Sequence, residues 1–257
     1  MPDRSTADPR LAVIIDADNV SSAPVRELLA EIARHGVPTV RRIYGDWTQP
    51  SMQQWKNVLH EHAITPMQQY RHTVGKNATD SAMIIDAMDI LYAGNVEGFC
   101  IVSSDADFTR LATRLREAGM RVIGFGAKHT PRPFVAACEQ FIYLEVLTAT
   151  PPPPPPRRTA RPGAEPEPAQ EPATGPADLP AIERLIGTVV NDLAEDDGWA
   201  SLGAVGTQLL KQQPDFDTRL YGHSKLSRLI EALPGFELGK LESESGRGFS
   251  YFVRRKE

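Results

Sequence analysis

Aspartates stand where the apolar runs of this chain stop. Leu11-Ala12-Val13-Ile14-Ile15 ends in Asp16-Ala17-Asp18-Asn19, and Phe99-Cys100-Ile101-Val102 ends in Ser103-Ser104-Asp105-Ala106-Asp107. Asp80 opens a helical pattern after the polar stretch Gln68 to Asn77. Carboxylates held together cannot all ionise without compensation. A hard divalent cation, Mg²⁺ or Mn²⁺, compensates them through oxygen ligands and keeps places for water and a substrate phosphate. Such an ion acidifies a bound water and shields the phosphate during in-line attack. Asp16 (with Asp18), Asp80 and Asp105 (with Asp107) are therefore candidate metal-ligating and catalytic residues. Asn19 is a candidate for orienting a phosphate or a ligand water. Taken alone, Asp105 or Asp107 also reads as a helix cap.

The elements between these acids decide whether they meet. Short, uniformly apolar runs suit strands buried on both faces. Leu11 to Ile15, Val37 to Tyr44, Phe99 to Val102, Arg121 to Gly126 and Phe141 to Leu144 read as such strands, with Ala63 to Met67 as a short extended segment. Helical periodicities lie between them, as in Val25, Leu28, Leu29, Ile32 and Ala33. Alternating strands and helices predict a doubly wound parallel sheet, which places sites at the carboxyl edge of its strands. From Thr79 to about Tyr92, Asp80 shares a helix face with Met83, Ile84, Ala87 and Leu91, whereas Asp86 and Asp89 read as solvent residues.

Composition narrows the classes. The chain has 257 residues and a formal net charge of −5, so no global basic field advertises nucleic acid. No apolar run reaches the roughly 18 residues of a membrane span. Residues 1–10 read as a disordered tail without an apolar leader core. Cys100 and Cys138 lie in apolar stretches and read as core residues, which implies a reducing, cytoplasmic compartment. No histidine sits near a strand-end Ser or Cys, and no Gly-rich phosphate loop of standard spacing occurs.

The organisation reads as an α/β domain over 11–148, a Pro-rich disordered linker over 149–178 and a second domain over 179–257. The linker contains six consecutive prolines and cannot bury a core. In the second domain, helical stripes over Ile182 to Leu193, around Val205 to Leu210 and from Ser224 to Ile230 precede two strands, Phe236 to Leu238 and Phe249 to Val253. Three helices and a terminal hairpin make a winged helix.

Three stretches carry a family resemblance: Ile15-Asp16-x-x-Asn19, Lys76-Asn77-Ala78-Thr79-Asp80 and Val102-Ser103-Ser104-Asp105-Ala106-Asp107-Phe108. Together they resemble the NYN domain, a branch of the PIN-like metal-dependent ribonucleases. The resemblance implies that Asp16, Asp80, Asp105 and Asp107 form the metal pocket. Asp197-Gly198-Trp199, Leu209-Leu210, Gln213-Pro214-Asp215-Phe216-Asp217, Leu226-Ser227-Arg228-Leu229-Ile230 and Pro234-Gly235-Phe236-Glu237-Leu238 resemble the OST-HTH/LOTUS module. That resemblance implies RNA as a partner and a possible protein partner.

The expected activity is therefore metal-dependent endoribonuclease cleavage of single-stranded or structured RNA. Arg71, Lys76 and Trp47 are candidate RNA contacts in the first domain, with half-buried packing the alternative for Trp47. Lys225, Arg228 and Arg247 are candidates in the second. Two other functions compete. One is an RNA-binding scaffold with an idle nuclease fold. The other is a phosphatase of the haloacid-dehalogenase type, because Asp16-Ala17-Asp18-Asn19-Val20 also fits that opening, with Asp16 as nucleophile.

Overall fold

The structure, a computed structural model, describes residues 8–70, 78–148, 179–242 and 249–256. It divides into two compact units, taken in turn.

The first unit is built on six parallel strands: β1 (Arg10–Asp16), β2 (Val37–Gly45), β3 (Thr65–Gln68), β4 (Gly98–Val102), β5 (Arg121–Gly126) and β6 (Gln140–Tyr143). Helices α1 (Val25–Ile32), α2 (Gln53–Leu59), α3 (Ala78–Ala93), α4 (Thr109–Glu117), α5 (Arg132–Ala137) and α6 (Leu144–Thr148) connect or follow them. β1 begins at Arg10, one residue before the expected strand, where Arg10 pairs with Glu97. Leu11 to Ile15 are fully buried, as a strand covered on both faces requires. Leu11, Val13 and Ile15 share one core layer with Val25, Leu28, Ile32 and Trp55 from the α1 and α2 side. The alternate residues face the opposite layer, where α3 packs on β1 and β2.

The strand order is β3-β2-β1-β4-β5-β6. The chain therefore winds outward in both directions from the β1/β4 pair, which is the switch point of the sheet. Open α/β sheets form their crevice there, beyond the carboxyl ends of the strands. The register pairs Ile15 with Val102, so the next residues, Asp16 and Ser103, leave the sheet side by side.

Beyond residue 178 the chain forms α7 (Leu179–Leu193), β7 (Ala200–Ser201), α8 (Leu202–Gln212), α9 (Leu226–Ala232), β8 (Phe236–Glu242) and β9 (Phe249–Arg255), of which all but residues 210–212 of α8 belong to the second unit. Its antiparallel sheet has the order β7-β9-β8, so the terminal hairpin gains a third, two-residue strand. A Cβ at Gly239 would lie 2.9 Å from the Trp199 ring, so glycine there lets the indole lie flat on the hairpin. Of the tail expected over residues 1–10, residues 1–7 lie outside the described residues and Arg10 belongs to β1; the Pro-rich linker expected over 149–178 also lies outside the described residues.

Candidate metal centre

Each acid arrives on a different element. Asp16 ends β1 and faces the α3 side, in alternation with Ile15. Asp80 sits in the first turn of α3. Asp105 and Asp107 follow β4, where Asp105 caps a short 3₁₀ turn over Ala106–Phe108 by accepting from the Asp107 amide at 2.9 Å. Capping and clustering are thus both true of Asp105. One carboxylate oxygen from each of Asp80, Asp105 and Asp107 lies within 4.8 Å of the others. Asp80 and Asp105 are half-buried and Asp107 is exposed.

Asp16 stands behind this triplet. It is fully buried. Its Oδ1 accepts from the Asp18 amide at 3.0 Å, and its Oδ2 accepts from Asn19 Nδ2 at 2.6 Å and from Ser103 Oγ at 2.8 Å. Asn19 therefore orients the Asp16 carboxylate. Ser103 Oγ also accepts from the Asp105 amide at 3.1 Å, which ties the Asp16 carboxylate to the loop that carries Asp105 and Asp107. Sequence reasoning missed this use of Ser103; the signal was its place directly after the β4 run. Gly126 lets β5 pass close to this loop, because a Cβ there would lie 2.6 Å from the Ser103 carbonyl oxygen.

The electrostatics match the geometry. Burial pushes the Asp16 carboxyl above its ordinary value, and the hydrogen bonds from Asn19, Ser103 and Asp18 oppose that shift. Asp80 is pushed up to about 6, first by burial and then by the negative charges of Asp16, Asp105, Asp107 and Asp18. A site that resists its own ionisation in this way gains from a cation. The donors are all hard carboxylate oxygens, the ligand type that Mg²⁺ and Mn²⁺ take. Three carboxylate oxygens within 4.8 Å of one another make a donor set that suits such an ion.

The other candidates are distributed differently. Trp47 is half-buried, donates its indole N–H to the Met67 carbonyl at 3.0 Å and packs against the core, as the packing alternative had it. Its loop is pinned by Asp46, which accepts from Thr48, Gln49 and Gln68 and is held well below the usual carboxylate range by them. Asp86 is not the solvent residue expected. It pairs with Arg42 and accepts from the buried Tyr44 hydroxyl on β2. Asp89 is exposed, as expected. In the second unit, Lys225 is exposed at the start of α9, and Arg228 is exposed but paired with Glu231 at 2.7 Å. Arg71, Lys76 and Arg247 lie outside the described residues.

A parallel sheet of this order, flanked by helices and with acids gathered at its switch point, defines a PIN-like α/β domain. The family model described as NYN domain matches residues 10–145, and the one described as OST-HTH/LOTUS domain matches residues 178–247. The chain belongs to the NYN family, within a nuclease superfamily, and carries a C-terminal OST-HTH/LOTUS domain. Among solved structures, a protein of unknown function from Vibrio parahaemolyticus is 17% identical, spans 55% of this chain and 96% of its own, and has a TM-score of 0.47. An uncharacterized protein from Nitrosomonas europaea is 33% identical over 38% of this chain and 91% of its own, with a TM-score of 0.29. A protein from Chromobacterium violaceum is 30% identical over 29% of this chain and 78% of its own, with a TM-score of 0.25. TM-scores this low support no assignment. No curated protein matches the chain.

Proposed function

We propose that this chain is a metal-dependent endoribonuclease, with the acidic crevice as its active site and the OST-HTH/LOTUS domain as its RNA-recruiting module. The observation that carries the proposal is the convergence of Asp80, Asp105 and Asp107 within 4.8 Å at the switch point of a nuclease-family sheet. Asp80, Asp105 and Asp107 would hold Mg²⁺ or Mn²⁺. When bound, such an ion acidifies a water and screens the scissile phosphate. Asp16 adds negative potential from behind and, through Ser103, fixes the loop that presents Asp105 and Asp107. Tethering to a second RNA-binding domain raises the local concentration of substrate near the crevice.

The phosphatase alternative needs Asp16 as an exposed nucleophile. Instead Asp16 is fully buried, with both oxygens accepting hydrogen bonds. No helix among the described residues is long and apolar enough to cross a membrane. Cys100 and Cys138 are free and buried, and burial pushes both thiols up to about 12, which suits a reducing cytoplasm.

The proposal is tested with end-labelled single-stranded and structured RNA incubated with Mn²⁺ or Mg²⁺. The expected result is internal cleavage that EDTA abolishes. RNA that is bound but left intact with either ion would favour the scaffold reading.

A further inference from the structure

We infer that the terminal hairpin of the second unit carries a stacking face for the bases of single-stranded RNA, formed by Phe249, Tyr251 and Lys240. The inference rests on the proposed RNA-recruiting role of this domain and gives that role a place and a chemistry.

The face follows from the strand register. β8 and β9 pair Leu238 with Val253, Lys240 with Tyr251 and Glu242 with Phe249. Cross-strand partners share a side of the sheet, so Phe249, Tyr251 and Val253 lie in one row, with Lys240 beside them. At the root of the hairpin this row is core, since Val253 is fully buried. Further out the same row leaves the protein body: Tyr251 is 40% exposed and Phe249 is 53% exposed. Lys240 Nζ lies 3.5 Å from the centroid of the Phe249 ring.

The opposite side of the hairpin shows what an aromatic used for packing looks like. There Trp199 lies against Gly239, with the Arg254 guanidinium 4.7 Å from its ring, and Arg254 is itself bound to Glu237. Phe249 and Tyr251 differ in being 53% and 40% exposed, with the Lys240 ammonium over one face of the Phe249 ring. They stand two residues apart on one strand, about 6.8 Å. Aromatic side chains on a sheet face stack unpaired bases in single-strand RNA readers, and each ring accepts any base because every base has a π-face. Lys240 lies over one face of the Phe249 ring, so a base would take the other face, with the ammonium beside it as a cation for the adjoining phosphate.

Two rings and one ammonium present far less surface than the roughly 800 Å² that a stable protein partner covers, which favours a strand of RNA over a folded protein. The α9 candidate is weaker on charge, because the Arg228 guanidinium is already paired with Glu231.

The test uses the full chain in EDTA, which silences the acidic crevice and isolates binding. A fluorescein-labelled single-stranded RNA of about 12 nucleotides is titrated and read by anisotropy. Phe249→Ala and Tyr251→Ala are each expected to weaken binding about tenfold, and the double variant more, with an unchanged melting temperature. Phe249→Leu keeps the apolar bulk and removes the π-face, so it is expected to behave like Phe249→Ala, whereas Phe249→Trp is expected to bind at least as tightly as wild type. Binding by the double variant within about twofold of wild type overturns the inference, as does wild-type binding by Phe249→Leu. Failure of the nuclease reading is separate: a wild type that binds RNA through these rings in EDTA but cuts none with Mn²⁺ leaves the stacking face standing.

Discussion

Ser103 and Asp16, 87 positions apart in sequence, are joined by a 2.8 Å hydrogen bond from the Ser103 hydroxyl to the Asp16 carboxylate. The same hydroxyl oxygen accepts from the Asp105 amide. One side chain thus couples the ends of β1 and β4, the two strands that flank the switch point. Ser103→Ala leaves a buried carboxylate one donor short, which costs about 1–3 kcal/mol of stability. Outer partners that orient ligands typically matter 10–100-fold in metal affinity. We therefore expect Ser103→Ala to lower the melting temperature and to weaken Mn²⁺ binding in calorimetry by about tenfold, with Ser103→Thr restoring both. Unchanged Mn²⁺ affinity in Ser103→Ala would remove Ser103 from the site.

Asp80 gives the crevice a pH signature. Its folded value of about 6 lies above the ordinary carboxyl value, so the folded state holds a proton that the unfolded chain has released. The stability linked to this group is fully present below pH of about 4 and is lost as pH rises through about 6. Asp80→Asn removes the like-charge repulsion. In EDTA at neutral pH it should therefore melt higher than wild type, with the difference vanishing near pH 4. A divalent cation offsets the same repulsion, so Mn²⁺ should raise the wild-type melting temperature more at pH 7 than at pH 5. Equal Mn²⁺ shifts at both pH values would contradict the assignment of Asp80 to the metal site.

Asp86 is the contrasting acid on the same helix. It ties α3 to β2 through Arg42 and Tyr44. Asp86→Ala orphans a buried hydroxyl and a half-buried guanidinium, with an expected loss of about 1–3 kcal/mol in denaturant unfolding. Mn²⁺ affinity of the folded protein should stay within about twofold of wild type. Loss of Mn²⁺ binding with full stability would instead make Asp86 a ligand.

The parts of this arrangement that sequence reveals are those set by period and run length. Leu11 to Ile15 and Phe99 to Val102 are apolar on every residue, which suits a strand covered on both faces, and their ends locate Asp16 and Asp105. Asp80 is legible because it shares a helix face with Met83 and Ala87, both fully buried. Asp86 is not, because a helical wheel gives an angle and not a neighbour. α3 lies across β2, where Arg42 and Tyr44 reach a residue on the flank of the helix. The roles of Ser103 and Asn19 depend on strand register and turn geometry, which composition does not encode. α6 and the two-residue β7 are too short to show a period.

The central claim is tested most directly by the cleavage of end-labelled single-stranded RNA by wild type and Asp105→Asn, side by side in Mn²⁺, with Mn²⁺ binding measured on the same samples. Wild type is expected to cleave internally, and EDTA to abolish that cleavage. Asp105→Asn is expected to remain folded and to lose both cleavage and Mn²⁺ affinity. Cleavage that persists in Asp105→Asn at the wild-type rate would contradict the claim.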